Sequence, residues 1–141
     1  MSDWHLVQAA ATEGHEIANH SLTHPHFNAI AADSIALELT QSNTLIKEIT
    51  KQKSQTHAYP FGEGGQESIP EQAARAVVKK YFIGARATRN KNITYNRYDF
   101  AVSDDDYFKV NSDMIADSSS MAGFETQLDA TIAAGGWYVP T

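Results

Sequence analysis

Two histidines four residues apart, His20 and His24, are the residues of this chain best suited to chemistry. On a helical turn, side chains at this spacing project from the same side. Neutral imidazole is a good ligand for zinc and similar divalent ions, so the pair would fill two positions of a tetrahedral shell. A catalytic site would add a third ligand, commonly a carboxylate, and leave one position for the water that attacks an amide or ester. The spacing alone also fits solvent-exposed or helix-capping histidines, and both interpretations stay open at this point.

The composition narrows the classes of function. The chain has 141 residues, of which 42% are hydrophobic and 20% charged, as expected for a single globular domain spanning residues 1–141. The formal net charge of −6 disfavours a nucleic-acid partner and favours a neutral substrate. Cysteine is absent, which excludes disulfides, thiolate metal sites and cysteine nucleophiles. No apolar run approaches the ~20 residues of a membrane span, and the first residues show no signal peptide.

Helices alternate with short apolar strands along the chain. Helices are predicted at residues 3–12, along the stripe from Ile35 to Ile49, from the Ser68–Glu71 capping box to about residue 80, and at 121–132. Strands are predicted at residues 15–19, 57–60, 81–87, 98–102 and 137–140. This alternation indicates an α/β fold, a parallel sheet with helical crossovers that is open or barrel-like. A complete eight-stranded barrel needs ~250 residues, so we expect part of one.

Two motifs resemble those of a known family. The twelve residues from Gly14 to Pro25, Gly-His-Glu-Ile-Ala-Asn-His-Ser-Leu-Thr-His-Pro, are similar to the second motif of the polysaccharide deacetylases, also called the NodB-homology family or carbohydrate esterase family four. The resemblance implies that His20 and His24 are metal ligands, with zinc as the expected ion. Ala58-Tyr59-Pro60-Phe61-Gly62 is similar to the third motif, a turn that lines the acetyl group. There Tyr59, Pro60 and Phe61 would be site residues, and the Phe61 N–H would help to hold the oxyanion.

The resemblance implies a partial or distorted (β/α) barrel and a metal-dependent hydrolase. Such an enzyme would remove N- or O-linked acetyl groups from a polysaccharide or oligosaccharide, and an extracellular or cell-envelope location would fit. The family's first motif, with the base and third ligand, and its last motif, with a general-acid histidine, have no counterpart here. We expect them in a longer parent protein. Alternatively, Glu16, Asp33 or another carboxylate substitutes, or the chain is a non-catalytic carbohydrate-binding or assembly module. A homo-oligomer that completes open sheet edges is a further hypothesis.

Overall fold

The computed structural model describes residues 3–88, 106–112, 120–135 and 139. In these ranges the chain combines helices with short strands, as the sequence pattern predicts. The helices are α1 (Trp4–Thr12), α2 (Ala32–Thr50), α3 (Ile69–Val78) and α4 (Met121–Ala133). The strands are β1 (Thr56–Ala58), β2 (Gly84–Thr88) and β3 (Val110–Ser112). Single 3-10 turns lie at Phe27–Ala29, Pro60–Gly62 and Asp106–Phe108.

The strands form one parallel sheet in the order β1-β2-β3. Helix α3 is the crossover between β1 and β2, as the alternation of elements predicts. A single parallel bridge joins Asn19 to His57, on β1. Because the strands are parallel, the loops that follow their carboxyl ends lie along one edge of the sheet. The segment after Asn19 and the turn after β1 therefore become neighbours.

A hydrophobic core between the helices and the sheet holds these strands in place. Leu39 and Ile35 on α2 are 0% and 2% exposed, as their helical spacing predicts. Burying side chains of this size stabilises a fold by about 1.5–3 kcal/mol each. The core cluster includes Phe27, Ile35, Leu39, Tyr59, Ala74, Val77, Val78, Phe82, Ala85, Ala87 and Phe108. The sheet edge that carries the candidate site thus rests on a packed base.

Several predicted boundaries were wrong. The strand predicted at 15–19 is reduced to the bridge at Asn19, and the one at 81–87 begins only at Gly84. The capping box does not form: Ser68 makes no side-chain cap hydrogen bond, and Glu71 accepts from the Gln66 N–H instead. Strand β3 was not predicted, because only one of its residues is apolar.

Some predicted elements cannot be compared with the structure. The strand predicted at 98–102 lies outside the described residues, as does that at 137–140 except for Val139, which is in no regular element. Among the helices that the structure describes, none combines the length and the apolar character needed to cross a bilayer.

Candidate metal site and the adjoining turn

The rings of His20 and His24 converge. Their centroids are 4.8 Å apart at an interplanar angle of 73°, and both side chains are exposed to solvent. The Nδ1 atom of His20 lies 2.8 Å from the carbonyl oxygen of Ala58. Because a carbonyl only accepts, Nδ1 carries the proton, which leaves the Nε2 lone pair available for a cation.

The backbone between the two histidines is not helical, so the helical premise of the spacing argument was wrong. Ser21 has φ 64° and His24 has φ 57°, both in the left-handed region that non-glycine residues rarely adopt. Such conformations cost about 1–2 kcal/mol each and persist only where neighbouring groups enforce them. The rings therefore converge because of a bent loop whose shape must be held by other residues.

Glu38, on α2, holds the outer part of this loop. Its carboxylate accepts hydrogen bonds from the Leu22 N–H at 2.9 Å, the Thr23 N–H at 2.8 Å and the Thr23 hydroxyl at 2.7 Å. Partial burial, the largest single effect, raises the pKa of Glu38, but the bonds from Thr23 and Leu22 together outweigh it and leave the pKa below its ordinary value. The charged carboxylate is thus the form that this loop favours.

Asn19 holds the inner part of the loop. Its side chain is fully buried, and its Oδ1 accepts from the Ser21 N–H at 2.9 Å and from Nδ1–H of His57 at 3.1 Å. Its Nδ2 donates to Asn43 Oδ1 at 2.8 Å and to the Leu39 carbonyl at 3.2 Å. Every hydrogen-bonding position of the amide is used, so Asn19 fixes the start of the loop to both α2 and β1.

His57 is a structural histidine. It is 1% exposed, and its ring lies parallel to that of Phe27 with centroids 5.6 Å apart. Burial, followed by the charges of His20 and Arg86, lowers the pKa of His57 to about 3, so the ring is neutral near pH 7. Its Nε2 has no hydrogen-bond partner within the described part of the chain. The ring supports Asn19 and is not a candidate ligand.

The turn after β1 lies next to the histidine pair. The Phe61 ring is 53% exposed, and its centroid is 4.5 Å from that of His24. Phe61 has φ 56°, and within the described residues its N–H donates to no acceptor. Pro60 is buried at the first position of the 3-10 turn. Among the described residues, the turn that adjoins the two imidazoles thus has a backbone N–H, that of Phe61, without an acceptor.

Tyr59, one of the predicted site residues, is buried. Its side chain is 2% exposed and belongs to the core cluster. The ring lies so close to Gly64 that an added Cβ there would clash with it. Tyr59 also donates its N–H to the Arg86 carbonyl at 3.0 Å, which ties the turn to β2. Its contribution to the site is therefore made from beneath the turn.

Two residues of this site were not predicted. The His26 ring stacks on Phe61 with centroids 3.8 Å apart and planes 11° from parallel. Nδ1–H of His26 donates to Glu63 Oε1 at 2.7 Å. His26 lies two positions after His24, and Glu63 lies two positions after Phe61. This proximity to predicted site residues is the sequence signal that could have drawn attention to them.

The described residues bring together two candidate metal ligands, His20 and His24, and no third. No group of three or more histidine, cysteine, aspartate or glutamate side chains able to hold a metal occurs among them. Glu16, one of the proposed substitutes, accepts from the Gln55 and Thr56 N–H groups at the amino end of β1, whereas His20 bonds to its carboxyl end. Asp33 is exposed in the first turn of α2. Two neutral imidazoles fit half of a tetrahedral zinc shell.

The sequence is similar to known deacetylases over its amino-terminal half. The family model for polysaccharide deacetylase matches residues 1–81. The chain is 38% identical over 55 residues to an uncharacterised 30.6 kDa protein of Geobacillus stearothermophilus. The aligned segment covers 39% of this chain and 21% of that protein. The chain is also 35% identical over 57 residues to a chitooligosaccharide deacetylase of Rhizobium leguminosarum bv. trifolii. That alignment covers 40% of this chain and 26% of the deacetylase. The matched segments thus span about a quarter or less of these relatives.

A solved structure shares the fold over nearly the whole chain. BA3943, a CE4 family pseudoenzyme from Bacillus anthracis, superposes with a TM-score of 0.53 at 17% identity. The superposition covers 98% of this chain and 49% of that one. At this identity the likeness concerns the fold alone, and it confirms the predicted class, a partial or distorted (β/α) barrel.

Proposed function

Because this chain belongs to the polysaccharide deacetylase family, we propose that it carries part of the site of a metal-dependent hydrolase that removes acetyl groups from a polysaccharide or oligosaccharide. The observation that supports this most is the pairing of the His20 and His24 rings beside Phe61, whose N–H donates to no acceptor among the described residues. These are the groups that hydrolysis of an acetyl amide or ester requires side by side.

His20 and His24 are the residues that would hold a divalent ion, with zinc the best match to two neutral imidazoles. When bound, such an ion supplies Lewis acidity and lowers the pKa of water. The bond from His20 Nδ1–H to the Ala58 carbonyl orients the ring and makes Nε2 a better donor. Glu38 and Asn19 hold the loop in the bent shape that brings the two rings together.

Phe61 would contribute through its backbone. The oxygen of an acetyl carbonyl gains negative charge as its carbon is attacked, and an N–H already aimed at that oxygen stabilises the charge without reorganisation. Removing one such donor from a hydrolase typically costs ~10²–10³ in turnover. The exposed Phe61 ring offers an apolar face beside the same position. Tyr59 and Pro60, both buried, keep the turn in place.

The proposed substrate is an N-acetylated amino sugar within a neutral oligomer. One relative is a chitooligosaccharide deacetylase, and the net charge of −6 disfavours an anionic polymer. The bond broken would be the carbon–nitrogen bond of the acetamide. An O-acetylated polysaccharide is the second substrate to compare, because the same groups would serve an ester.

A non-catalytic carbohydrate-binding module is the second candidate. It is favoured by the absence of a third metal-ligating side chain beside His20 and His24 among the described residues. Two imidazoles without a carboxylate would bind metal more weakly, and no described group stands ready to transfer the proton. In this case sugar would bind to the exposed face of the turn without turnover.

Acetate release from acetylated glucosamine oligomers and from acetylated xylan, measured with and without a chelator, separates the candidates. We expect turnover on the glucosamine oligomers that is lost on chelation and returns with zinc. Hydrolysis that survives complete metal removal would contradict the proposal. Binding of the oligomers with neither bound metal nor turnover would favour the module.

A further inference from the structure

His26 joins the loop that carries the two histidines to the turn that carries Phe61. Its Nδ1–H donates to Glu63 Oε1 at 2.7 Å across 37 positions of sequence. A carboxylate oxygen accepts, so the Nδ1 atom of His26 carries the proton in this contact. The other oxygen of Glu63 lies 3.4 Å from the Asn28 N–H, which extends the contact along the same segment.

The contact is aromatic as well as polar. The His26 ring stacks on Phe61 with centroids 3.8 Å apart, and the same Phe61 ring meets His24 at 4.5 Å. The side chain of His26 is 56% exposed and that of Glu63 19%. Core packing does not fix the position of the His26 ring, because more than half of this side chain is exposed to solvent.

The Phe61 turn needs this support because its backbone is strained. Phe61 has φ 56°, in a region that costs a non-glycine residue energy, and Gly62 follows with φ 73°. Beneath the turn, Gly62 packs so closely on Thr88 of β2 that no Cβ could fit, and Tyr59 bonds to Arg86. On the other side of Phe61, the described ring contacts are those of His24 and His26.

We infer that His26 and Glu63 are a positioning pair, which holds the Phe61 turn in register with His20 and His24. Neither residue lies within the two motifs that identify the site. The consequence for turnover rests on the proposed function, since it concerns the Phe61 N–H as oxyanion donor. The coupling of the two loops rests only on the contacts and has its own measurement.

Amide hydrogen exchange measures the coupling without any substrate. The Gly62 N–H donates to the Tyr59 carbonyl at 3.0 Å and the Glu63 N–H to the Pro60 carbonyl at 3.1 Å, so these amides report opening of the turn. In His26→Ala we expect both to exchange ~3- to 10-fold faster, the size of a lost surface stack and hydrogen bond. The Ala58 N–H, bonded to the Asn19 carbonyl at 2.8 Å, serves as the internal reference and should not change.

Two further variants separate the stack from the hydrogen bond. His26→Phe keeps a ring on Phe61 and loses the donor, whereas His26→Asn keeps a donor near the Nδ1 position and loses the ring. Each should accelerate exchange less than His26→Ala, and Glu63→Gln should resemble His26→Phe. His5→Asn, at an exposed position on α1, is the matched control and should equal the wild type.

Turnover is measured on the same variants. We expect kcat to fall by a similar factor in His26→Ala while KM and the zinc Kd stay within about twofold, because neither ligand is touched. Unchanged exchange at Gly62 and Glu63 in every His26 variant would overturn the inference. Accelerated exchange in a protein that shows no turnover even as wild type would refute the proposed function and support the coupling.

Discussion

At the level of single residues, His20 and His24 are held in different ways. The His20 ring is anchored through Nδ1 to the Ala58 carbonyl. Among the described residues, the ring nitrogens of His24 make no hydrogen bond, although its N–H donates to the Ser21 hydroxyl oxygen at 3.0 Å. A ring whose tautomer and orientation are fixed in advance loses less freedom when it binds a cation. His20 is therefore the preorganised member of the pair, and His24 adjusts to it.

We predict that His20→Ala weakens zinc binding more than His24→Ala does. Each loss should exceed the ~10- to 100-fold typical of removing an outer-shell partner, because a ligand itself is removed. Isothermal titration with zinc measures both, and His15→Ala, at an exposed position nearby, is the control. Zinc affinity that is the same in both variants as in the wild type would show that this pair is not the metal site.

A second prediction concerns the pH dependence of stability through His57. Its pKa is about 3 in the folded protein, mainly because of burial, and about 6.5 in the unfolded chain. Between these two pH values the unfolded state binds one more proton than the folded state. The free energy of unfolding therefore keeps its full value above about pH 6.5 and falls as the pH is lowered towards 3. The slope due to this group should approach about 1.4 kcal/mol per pH unit.

Urea unfolding at pH 7, 6 and 5 measures that slope. His57→Asn keeps a donor towards Asn19 but does not titrate in this range. In this variant the free energy of unfolding should fall less steeply with decreasing pH, by up to about 1.4 kcal/mol per pH unit. His15→Asn removes an exposed histidine and should leave the slope unchanged. An equal slope in His57→Asn and the wild type would mean that His57 is protonated equally in both states.

At the level of elements, α2 organises a loop to which it is not adjacent in sequence. Glu38 reaches residues 15 and 16 positions earlier, and Leu39 and Asn43 of the same helix bond to Asn19. One face of α2 therefore packs into the core. Neighbouring groups of the same helix fix the backbone of the histidine loop, the segment that carries His20 and His24. The sequence predicted the apolar face from its period, but a polar contact over this distance has no period to detect.

We predict that Glu38→Gln loosens the histidine loop. The amide keeps one acceptor but loses the charge that attracts two N–H groups and a hydroxyl. Zinc affinity should fall by ~10- to 100-fold, as for other outer-shell changes, with a loss of about 1 kcal/mol in unfolding free energy. Glu48→Gln, exposed on the same helix, is the control for charge. Unaltered zinc affinity in Glu38→Gln would remove Glu38 from the site.

At the level of the whole molecule, the sequence predicted what depends on local pattern and on motif. The mixture of helices and short strands and the burial of Ile35 and Leu39 were predicted correctly. The left-handed backbone at Ser21 and His24 was not, because residue type gives little sign of it outside glycine.

The sequence could not predict contacts between segments that lie far apart along the chain. The bond from His26 to Glu63 exists only because the parallel order of strands brings two loops to one edge. The close packing of Gly64 on the Tyr59 ring, which places that ring in the core, was not predicted either. The zinc ion, the substrate and the extent of the domain remain predictions.

Zinc should stabilise the folded chain as a whole, since the site exists only when α2, β1 and the two loops are assembled. Ligand binding to the native state adds about 2.7 kcal/mol at a concentration of 100 times the Kd. Unfolded histidines also bind zinc, which reduces the gain, so the informative quantity is the difference from His20→Ala. We expect thermal unfolding of the wild type to shift upwards with zinc and that of His20→Ala to shift much less. Magnesium, which prefers oxygen ligands, should shift neither. An equal zinc shift in both proteins would place the ion elsewhere on the molecule and leave the histidine pair without its proposed role.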